Sequence, residues 1–544
     1  MRSPRFLPAA LSAVALSAIL GGMLGSSAAA TTQGDVMPQY RIFADALAAV
    51  EREYVEAIPV ERLVHSSIDG LLHTLDPHSS FFDPREYAAM RERQSGSYAG
   101  LGVTIAAIDG DITIQSIFEG SPAYKGGLRR GDVIARVEGD DMKGWTTQQA
   151  VSRLRGEIGT SVNISIRRRG YDGLIEMNVV RAAVSITTVR GAFMIDQETG
   201  YVKLAEFSET SDKELETALE QLAAKGMKRL MFDLRDNPGG LLDQAIRVSN
   251  RFLPKGDLIV YQRGRVPNAD QDYHATEVSE YTGLPLVVLV NRNSASASEI
   301  VSGALQDHDR ALIVGETTFG KALVQSVYRV ANNAGVAVTT GRYYTPSGRM
   351  IQRPWDGSFD EYRMYSLRDQ SEEQERSNAD LKYTDGGRKV YSGGGIQPDK
   401  FLAGPVEGFA PTRFGRQLYA RQAFAQFADQ FRAEGDTRLA DANKGKKPLS
   451  RGFTVSDAMV SDFRTMLESQ KVKIDEAAFA KDGEFIRAMI HYDIDIALFG
   501  VEEARRNLVM RDPQAQFALT QFADAARMTG VTRAKSSRGL GAQQ

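Results

Sequence analysis

Between residues 183 and 355 short apolar runs alternate with helix-patterned stretches. "GYVKLAEF" precedes "SDKELETALEQLAAKG", "RLMFDLR" precedes "LLDQAIRVSNRFL", "LPLVVLV" precedes "SASEIVSGALQDH", and "RALIVG" precedes "KALVQSVYRV". This rhythm predicts an α/β core, a mostly parallel sheet covered by helices. Right-handed crossovers keep such strands parallel, so the loops at their carboxyl ends share one edge. Three loops fall there: "RDNPGG" after a strand ending near Leu234, "NRNSASASE" after one ending near Val290, and "ETTFGK" after one ending near Val314.

The 544 residues leave room for further domains. Residues 36–93 carry apolar positions at helical spacing, among them Ile42, Leu47, Val50, Leu63, Ile68 and Leu72, and "LDPHSSFFDPREY" at 75–87 interrupts them. Residues 97–182 form a β-rich unit of short strands divided by glycine turns, with one helix capped by Thr146. Residues 356–392 are polar and read as an exposed insertion. Beyond 410, Phe414, Leu418, Phe424, Phe427 and Phe431 share one helical face, as do Ile486, Ile490, Ile494, Leu498 and Val501.

Charge and leader narrow the function. A net charge of −3 gives no reason to expect a nucleic-acid partner. The basic clusters at 167–170 and 443–448 read as solvated turns. Arg2 and Arg5 precede an apolar run from Leu7 to Leu24, and Ala28–Ala30 offer a cleavage pattern. Residues 1–30 therefore read as a secretory signal peptide, with a retained membrane anchor as the alternative. Export places the mature protein in a periplasm if the source is Gram-negative. There is no cysteine, so thiol and disulfide chemistry are excluded.

Ser294, Ser296 and Ser298 cluster where a buried strand turns into a helix. Ser296-x-x-Glu299 fits a capping box with no catalytic role. Ala295 and Ala297, however, leave room for a substrate backbone beside a hydroxyl held at a tight turn, as in a nucleophile elbow. A serine needs a base. His308 lies about 18 Å along the helix, at its wrong end, and His65, His73, His78 and His274 have no topological reason to approach. Lys321 belongs to a loop at the same sheet edge. Phe319, Gly320, Ala322 and Leu323 around it permit desolvation, which lowers an amine's pKa toward neutrality. Gln325, four residues on, projects to the same side and is placed to orient the amine. The amides of Gly239, Gly240 and Ala297 are the candidate oxyanion donors.

Together "NPGGLL", "SASASEI", "FGKALVQ", "YYTPSGRMIQ" and "GGGIQPD", in that order, resemble the carboxyl-terminal processing or tail-specific proteases. The Ser296-to-Lys321 spacing matches the family's Ser/Lys dyad, "LDPHSSFF" looks like the family too, and the resemblance spans about residues 36–405. Arg292 departs from the small residue more usual there. The resemblance implies that residues 97–182 are a PDZ domain and residues 183–405 a crotonase-like protease core; the helical regions at 36–96 and 406–544 are read from apolar periodicity, and the second is longer than in the family's compact members. It implies Ser296 as nucleophile, Lys321 as general base and Gln325 as its orienter. "YAGLGV" matches the PDZ carboxylate loop, so the amides of Gly100, Leu101, Gly102 and Val103 would grip a peptide's terminal carboxylate while the peptide adds as a strand.

The reading is an exported serine endopeptidase cleaving polypeptides near accessible carboxyl termini through an acyl-enzyme, with no metal or cofactor. A homo-oligomer is expected, and an adaptor protein is a further candidate partner. Two alternatives stand beside it: a catalytically inactive PDZ scaffold, and an acyl-CoA enzyme of the crotonase type. Export and the PDZ-like unit argue against the last.

Overall fold

The structure is a computed structural model that describes residues 36–529 except 169, 267, 356–358, 368–376, 405–410 and 432–448. The predicted leader and the basic cluster at 443–448 lie outside the described residues. Among the described residues no helix is long and apolar enough to cross a membrane. The chain divides into two compact units after Leu75.

The described part of the first unit is two helices, α1 (Met37–Glu53) and α2 (Val60–His73). Pro38 sits in the first turn of α1, where its missing N–H costs nothing. No α1 residue is buried, and Met37, Tyr40, Ile42 and Phe43 are each more than half exposed.

The second unit opens with strand β1 (Ser80–Phe82) and helix α3 (Pro84–Ser95), capped by Asp83 and Glu86 in a capping box. Strand β2 (Ser97–Gly100) leads into the β-rich unit: β3 (Val103–Ile108), β4 (Asp111–Ile117), β5 (Val133–Val137), β6 (Asp140–Asp141), β7 (Ser161–Arg167) and β8 (Ile175–Val180). They form an antiparallel sheet in the order β3-β4-β5-β7-β8, with β6 on β5. Along β7 alternate residues Val162, Ile164 and Ile166 are buried, the period-two pattern of a strand with one face on a core. Thr146 caps the helix of this unit through a capping box with Gln149. Arg168 corrects one expectation. It is buried and pairs through two nitrogens with Asp132 (both 2.7 Å), so the basic turn is partly interior. Strand β9 (Ala182–Ser185) returns beside β2 as an antiparallel ribbon.

The six-stranded core sheet runs β10-β11-β12-β15-β16-β21. Its members are β10 (Val189–Met194), β11 (Thr199–Leu204), β12 (Arg229–Asp233), β15 (Leu286–Val290), β16 (Leu312–Gly315) and β21 (Lys400–Phe401). The first pair is antiparallel and every later pair parallel. The expected strands ending near Leu234, Val290 and Val314 are thus parallel neighbours, and their loops emerge side by side.

The two faces divide by strand alternation. Leu230, Phe232, Val288 and Val290 meet α4 (Ser211–Ala224), α5 (Leu242–Asn250) and α6 (Ala297–Asp307). Met231, Val287, Leu289 and Val314 meet Ala515, Ala518, Phe522 and Ala525 from the end of the chain. The carboxyl-terminal region therefore closes the second face of the core rather than standing apart. Its two predicted apolar faces merge into one cluster, except that Val501 is exposed.

A second sheet is wholly antiparallel: β1, β18 (Gly335–Tyr344), β13 (Leu258–Arg263) and β14 (Gln271–His274), with β17 (Leu323–Arg329) on β18. "KALVQSVYRV", placed by the sequence rhythm among the helices, is mostly β17. Its β-branched Val324 and Val327 suit a strand, and a seven-residue pairing with β18 fixes it. The insertion at 356–392 is also less exposed than its composition suggests. Tyr362 and Tyr365 are buried and make edge contacts with Phe319.

Candidate active site

Strand β15, buried along its whole length, ends at Val290, and α6 begins at Ala297. The link is short enough to force Ser296 to φ 53° and ψ −112°. A side-chain-bearing residue there is strained and persists only where its surroundings fix it.

The flanking serines do the fixing. Ser294 Oγ donates to Leu234 O (2.8 Å) and accepts from the Asn291 N–H (2.9 Å). Ser298 Oγ donates to Asn237 O (2.9 Å), which also takes the Ala295 N–H (3.0 Å). Both serines are fully buried and tie the turn to the loop leaving β12. Ser296 and Glu299 stand in the expected capping box, with the Ser296 N–H donating to Glu299 Oε2 at 2.8 Å, and the Glu299 N–H also meets the Ser296 carbonyl at 2.8 Å.

That β12 loop carries the expected oxyanion donors. A Cβ on Gly239 (φ 98°) would stand 2.7 Å from Ala295 O and 2.8 Å from Ser296 Cβ, so only glycine allows this approach. The Gly239 N–H is already given to Asn237 Oδ1 (2.9 Å). Among the described residues, the N–H groups of Gly240 and Ala297 have no protein acceptor. Two of the three predicted donors therefore stand open.

The loop after β16 crosses directly over the elbow. The Phe319 N–H donates to Ser294 O (3.0 Å). Glu299, fully buried, takes four hydrogen bonds. Its Oε1 accepts from Thr318 Oγ1 (2.5 Å) and the Gly320 N–H (2.7 Å). Its Oε2 accepts from the Ser296 N–H and the Lys321 N–H, each at 2.8 Å. One oxygen thus holds the two residues of the expected dyad by their amides, and Lys321 reaches the elbow through main-chain geometry. Sequence reasoning saw Glu299 only as a cap; nothing local signalled its grip on Lys321.

The electrostatics suit a weak acid and a weak base. Burial pushes the Lys321 amine below the ordinary lysine range, and the charges of Glu299 and Asp76 oppose this only in part. Burial also pushes the Glu299 carboxyl up to about 7, against its four hydrogen bonds. Asp76 is favoured neutral by burial, but hydrogen bonds from His78 and Ser79 outweigh that and hold it below its usual range. His78 was not expected here. Burial, then the charge of Lys321, lower its imidazole to about 3, and its Nε2 meets Tyr362 Oη at 2.7 Å. "LDPHSS" is therefore part of the site, brought in by pairing of β1 with β18.

Gln325 lies in β17 just past a register shift that upsets simple strand alternation. Its Nε2 donates to Thr339 Oγ1 (3.2 Å), and the Thr339 hydroxyl bonds Asp76. Gln325 is thus linked to the Asp76 carboxylate through Thr339. His308 is at the far end of α6, bonded to Asp385 (2.8 Å) and Leu258 O (2.7 Å). Arg292 is buried and pairs with Glu316.

In the β-rich unit, Gly100, Leu101, Gly102 and Val103 line a cavity of about 90 Å³ with Ile105 and Leu154. Gly102 has φ 82°, and its N–H is turned to the Tyr98 hydroxyl. The Arg155 guanidinium stands 5.0 Å above the Tyr98 ring.

A hydroxyl at a strained elbow, an amine of lowered basicity and two open amides are the groups that acyl transfer requires. Family comparison agrees. Peptidase family S41 matches residues 198–356, and the PDZ domain matches residues 90–167. The carboxy-terminal-processing protease of Bartonella bacilliformis is 36% identical over 334 residues, covering 61% of this chain and 76% of that protein. The carboxy-terminal processing protease CtpA of Bacillus subtilis is 35% identical over 305 residues, 56% of this chain and 65% of that protein. Among solved structures, a photosystem II D1 C-terminal processing protease is 28% identical, covering 68% of this chain and 94% of its own, with a TM-score of 0.35. The chain belongs to the carboxy-terminal-processing proteases, serine-type peptidases of family S41 that here carry a PDZ domain.

Proposed function

We propose that the chain is an exported endopeptidase that hydrolyses polypeptides near their carboxyl termini with a Ser296/Lys321 dyad on a crotonase-like core. Ser296 Oγ attacks the scissile carbonyl carbon while the neutral Lys321 amine takes its proton. The tetrahedral oxyanion is met by the Gly240 and Ala297 amides. The C–N bond breaks, and the lysine ammonium returns the proton to the leaving amine. Water, deprotonated by the same amine, then hydrolyses the acyl-enzyme. Gln325 acts through Thr339 and Asp76, which steady the charge around the lysine.

The observation that carries this reading is the single Glu299 oxygen accepting from both Ser296 and Lys321 main-chain amides. The PDZ domain, residues 97–182 in this reading, presents the Gly100–Val103 turn to a substrate's terminal carboxylate, and the apolar lining of its small cavity takes the last side chain. Helical regions at 36–96 and 406–544 complete the organisation of the chain, and the first supplies contacts of a homo-oligomer. No cofactor enters the scheme.

The test is hydrolysis of unfolded casein by Lys321→Ala. Loss of turnover is expected, with the near-ultraviolet circular dichroism of the folded protein unchanged. Wild-type turnover would sink the dyad. Failure of a fluorophosphonate to label Ser296 in the wild-type protein would instead favour a non-catalytic peptide-binding scaffold.

A further inference from the structure

Tyr343 lies in β18 and is 2% exposed, its ring within the core beneath the sheet edge. Its hydroxyl faces two main-chain carbonyls, that of Ser296 at 3.1 Å and that of Lys321 closer still. Its own N–H donates to Ala322 O at 3.0 Å. The base-bearing loop is thus fastened to β18 at two successive residues. The Ser296 carbonyl meanwhile starts α6, accepting from the N–H groups of Glu299 (2.8 Å) and Ile300 (3.0 Å).

The phenol joins elbow and base loop on their carbonyl side, as Glu299 joins them on their amide side. Ser296 and Lys321 are each gripped at both main-chain polar groups, which leaves Oγ and Nζ for chemistry. A phenol has one hydrogen, so the two carbonyls share it in a three-centre bond that leans toward Lys321 O, and only the neutral phenol can make it. Burial keeps the phenol neutral, and the neighbouring Glu299 charge adds to the effect.

We propose that Tyr343 is a positioning residue for the hydrolysis, its hydroxyl bridging the carbonyls of Ser296 and Lys321 to fix how the nucleophile meets its base. This rests on the dyad reading. Tyr343 touches neither substrate nor the reacting atoms. Its contribution is geometric, and displacement of reacting groups by about 1 Å can cost roughly a hundredfold in rate.

Tyr343→Phe keeps the ring and deletes the bridge. On unfolded casein, kcat should fall about tenfold to a hundredfold with KM unchanged. Phosphonylation of Ser296 by a fluorophosphonate should slow by the same factor. Rates are counted per folded molecule, with the folded fraction read from near-ultraviolet circular dichroism, so partial unfolding cannot imitate the effect. A wild-type kcat per folded molecule, or a loss residing wholly in KM, overturns the proposal. If Ser296→Ala and Lys321→Ala both cleave casein normally, the dyad falls first and the bridge with it. If both are inert while Tyr343→Phe is fully active, only the bridge falls.

Discussion

Replacing Glu299 by Gln changes charge with almost no change of shape, and its consequences follow from counting acceptors. Each carboxylate oxygen takes two donors. Glutamine offers one acceptor oxygen and an NH₂ that accepts nothing. With its oxygen in the Oε2 position, Ser296 and Lys321 stay paired, the Thr318 hydroxyl turns to accept, and only the Gly320 N–H is orphaned. The opposite orientation orphans both dyad amides and is disfavoured. The remaining orphan costs about 1–3 kcal/mol. Charge works the other way. Burial raises the Glu299 carboxyl from 4.5 to about 7, a shift of about 3 kcal/mol in folding free energy.

The sign is fixed by where the proton stays longer. The folded state binds it up to about pH 7, while the unfolded chain releases it near 4.5. Stability from this group is therefore full below the unfolded value and declines as pH rises through 7. Glutamine has nothing to titrate. Urea unfolding should show the wild type clearly more stable than Glu299→Gln at pH 5, with the two converging by pH 8. An equal gap at both values would refute the reasoning. Because the Glu299 charge favours protonated Lys321, its removal should also move the acid limb of kcat/KM to lower pH.

The serine cluster gives a contrast of function against scaffold. Ser298→Ala should cost about 1 kcal/mol in urea unfolding, since a buried bond to Asn237 O is lost, and should leave casein turnover near wild type. Ser296→Ala should do the reverse, abolishing turnover with stability changed by about 0.5 kcal/mol or less. In the PDZ domain, a Cβ at Gly102 would stand 2.2 Å from Ser121 Cβ at φ 82°. Gly102→Ala should therefore abolish binding of a free-carboxylate peptide, read by fluorescence polarisation, while fluorophosphonate labelling of Ser296 stays unchanged.

What could be read in advance followed from local pattern. Apolar runs marked β12, β15 and β16, parallel topology set their loops on one edge, and the spacing of small residues marked Ser296 as an elbow. What stayed hidden depends on contacts distant in sequence. Asp76 and His78 reach Lys321 because the three-residue β1 pairs with β18 across more than 250 positions. Nothing in "YYTPSG" sets Tyr343 apart, because the carbonyls its hydroxyl meets lie 47 and 22 positions away. The strand character of "KALVQSVYRV" was masked because its partner is an antiparallel sheet that the βα rhythm does not announce. Tyr362 and Tyr365 were lost in the polar composition around them.

The proposed choice of lysine over histidine also has a topological reason. Strands β15 and β16 are hydrogen-bonded neighbours, in register from Val287↔Leu312 to Val290↔Gly315. Neighbouring strands lie about 4.8 Å apart, so their outgoing loops start within reach of one carboxylate. Glu299, at the third position of α6, sits where both loops pass, and it accepts from both. His308 caps the far end of that same helix, twelve residues from Ser296, and at about 1.5 Å each that is some 18 Å from the elbow. In the proposed dyad a base for Ser296 is therefore expected from the next strand's loop, which carries Lys321, or from the segment just before β1, which carries Asp76 and His78. On this logic the buried surroundings of Lys321 matter as much as its position, because burial lowers the amine's pKa and so leaves its lone pair free to accept a proton.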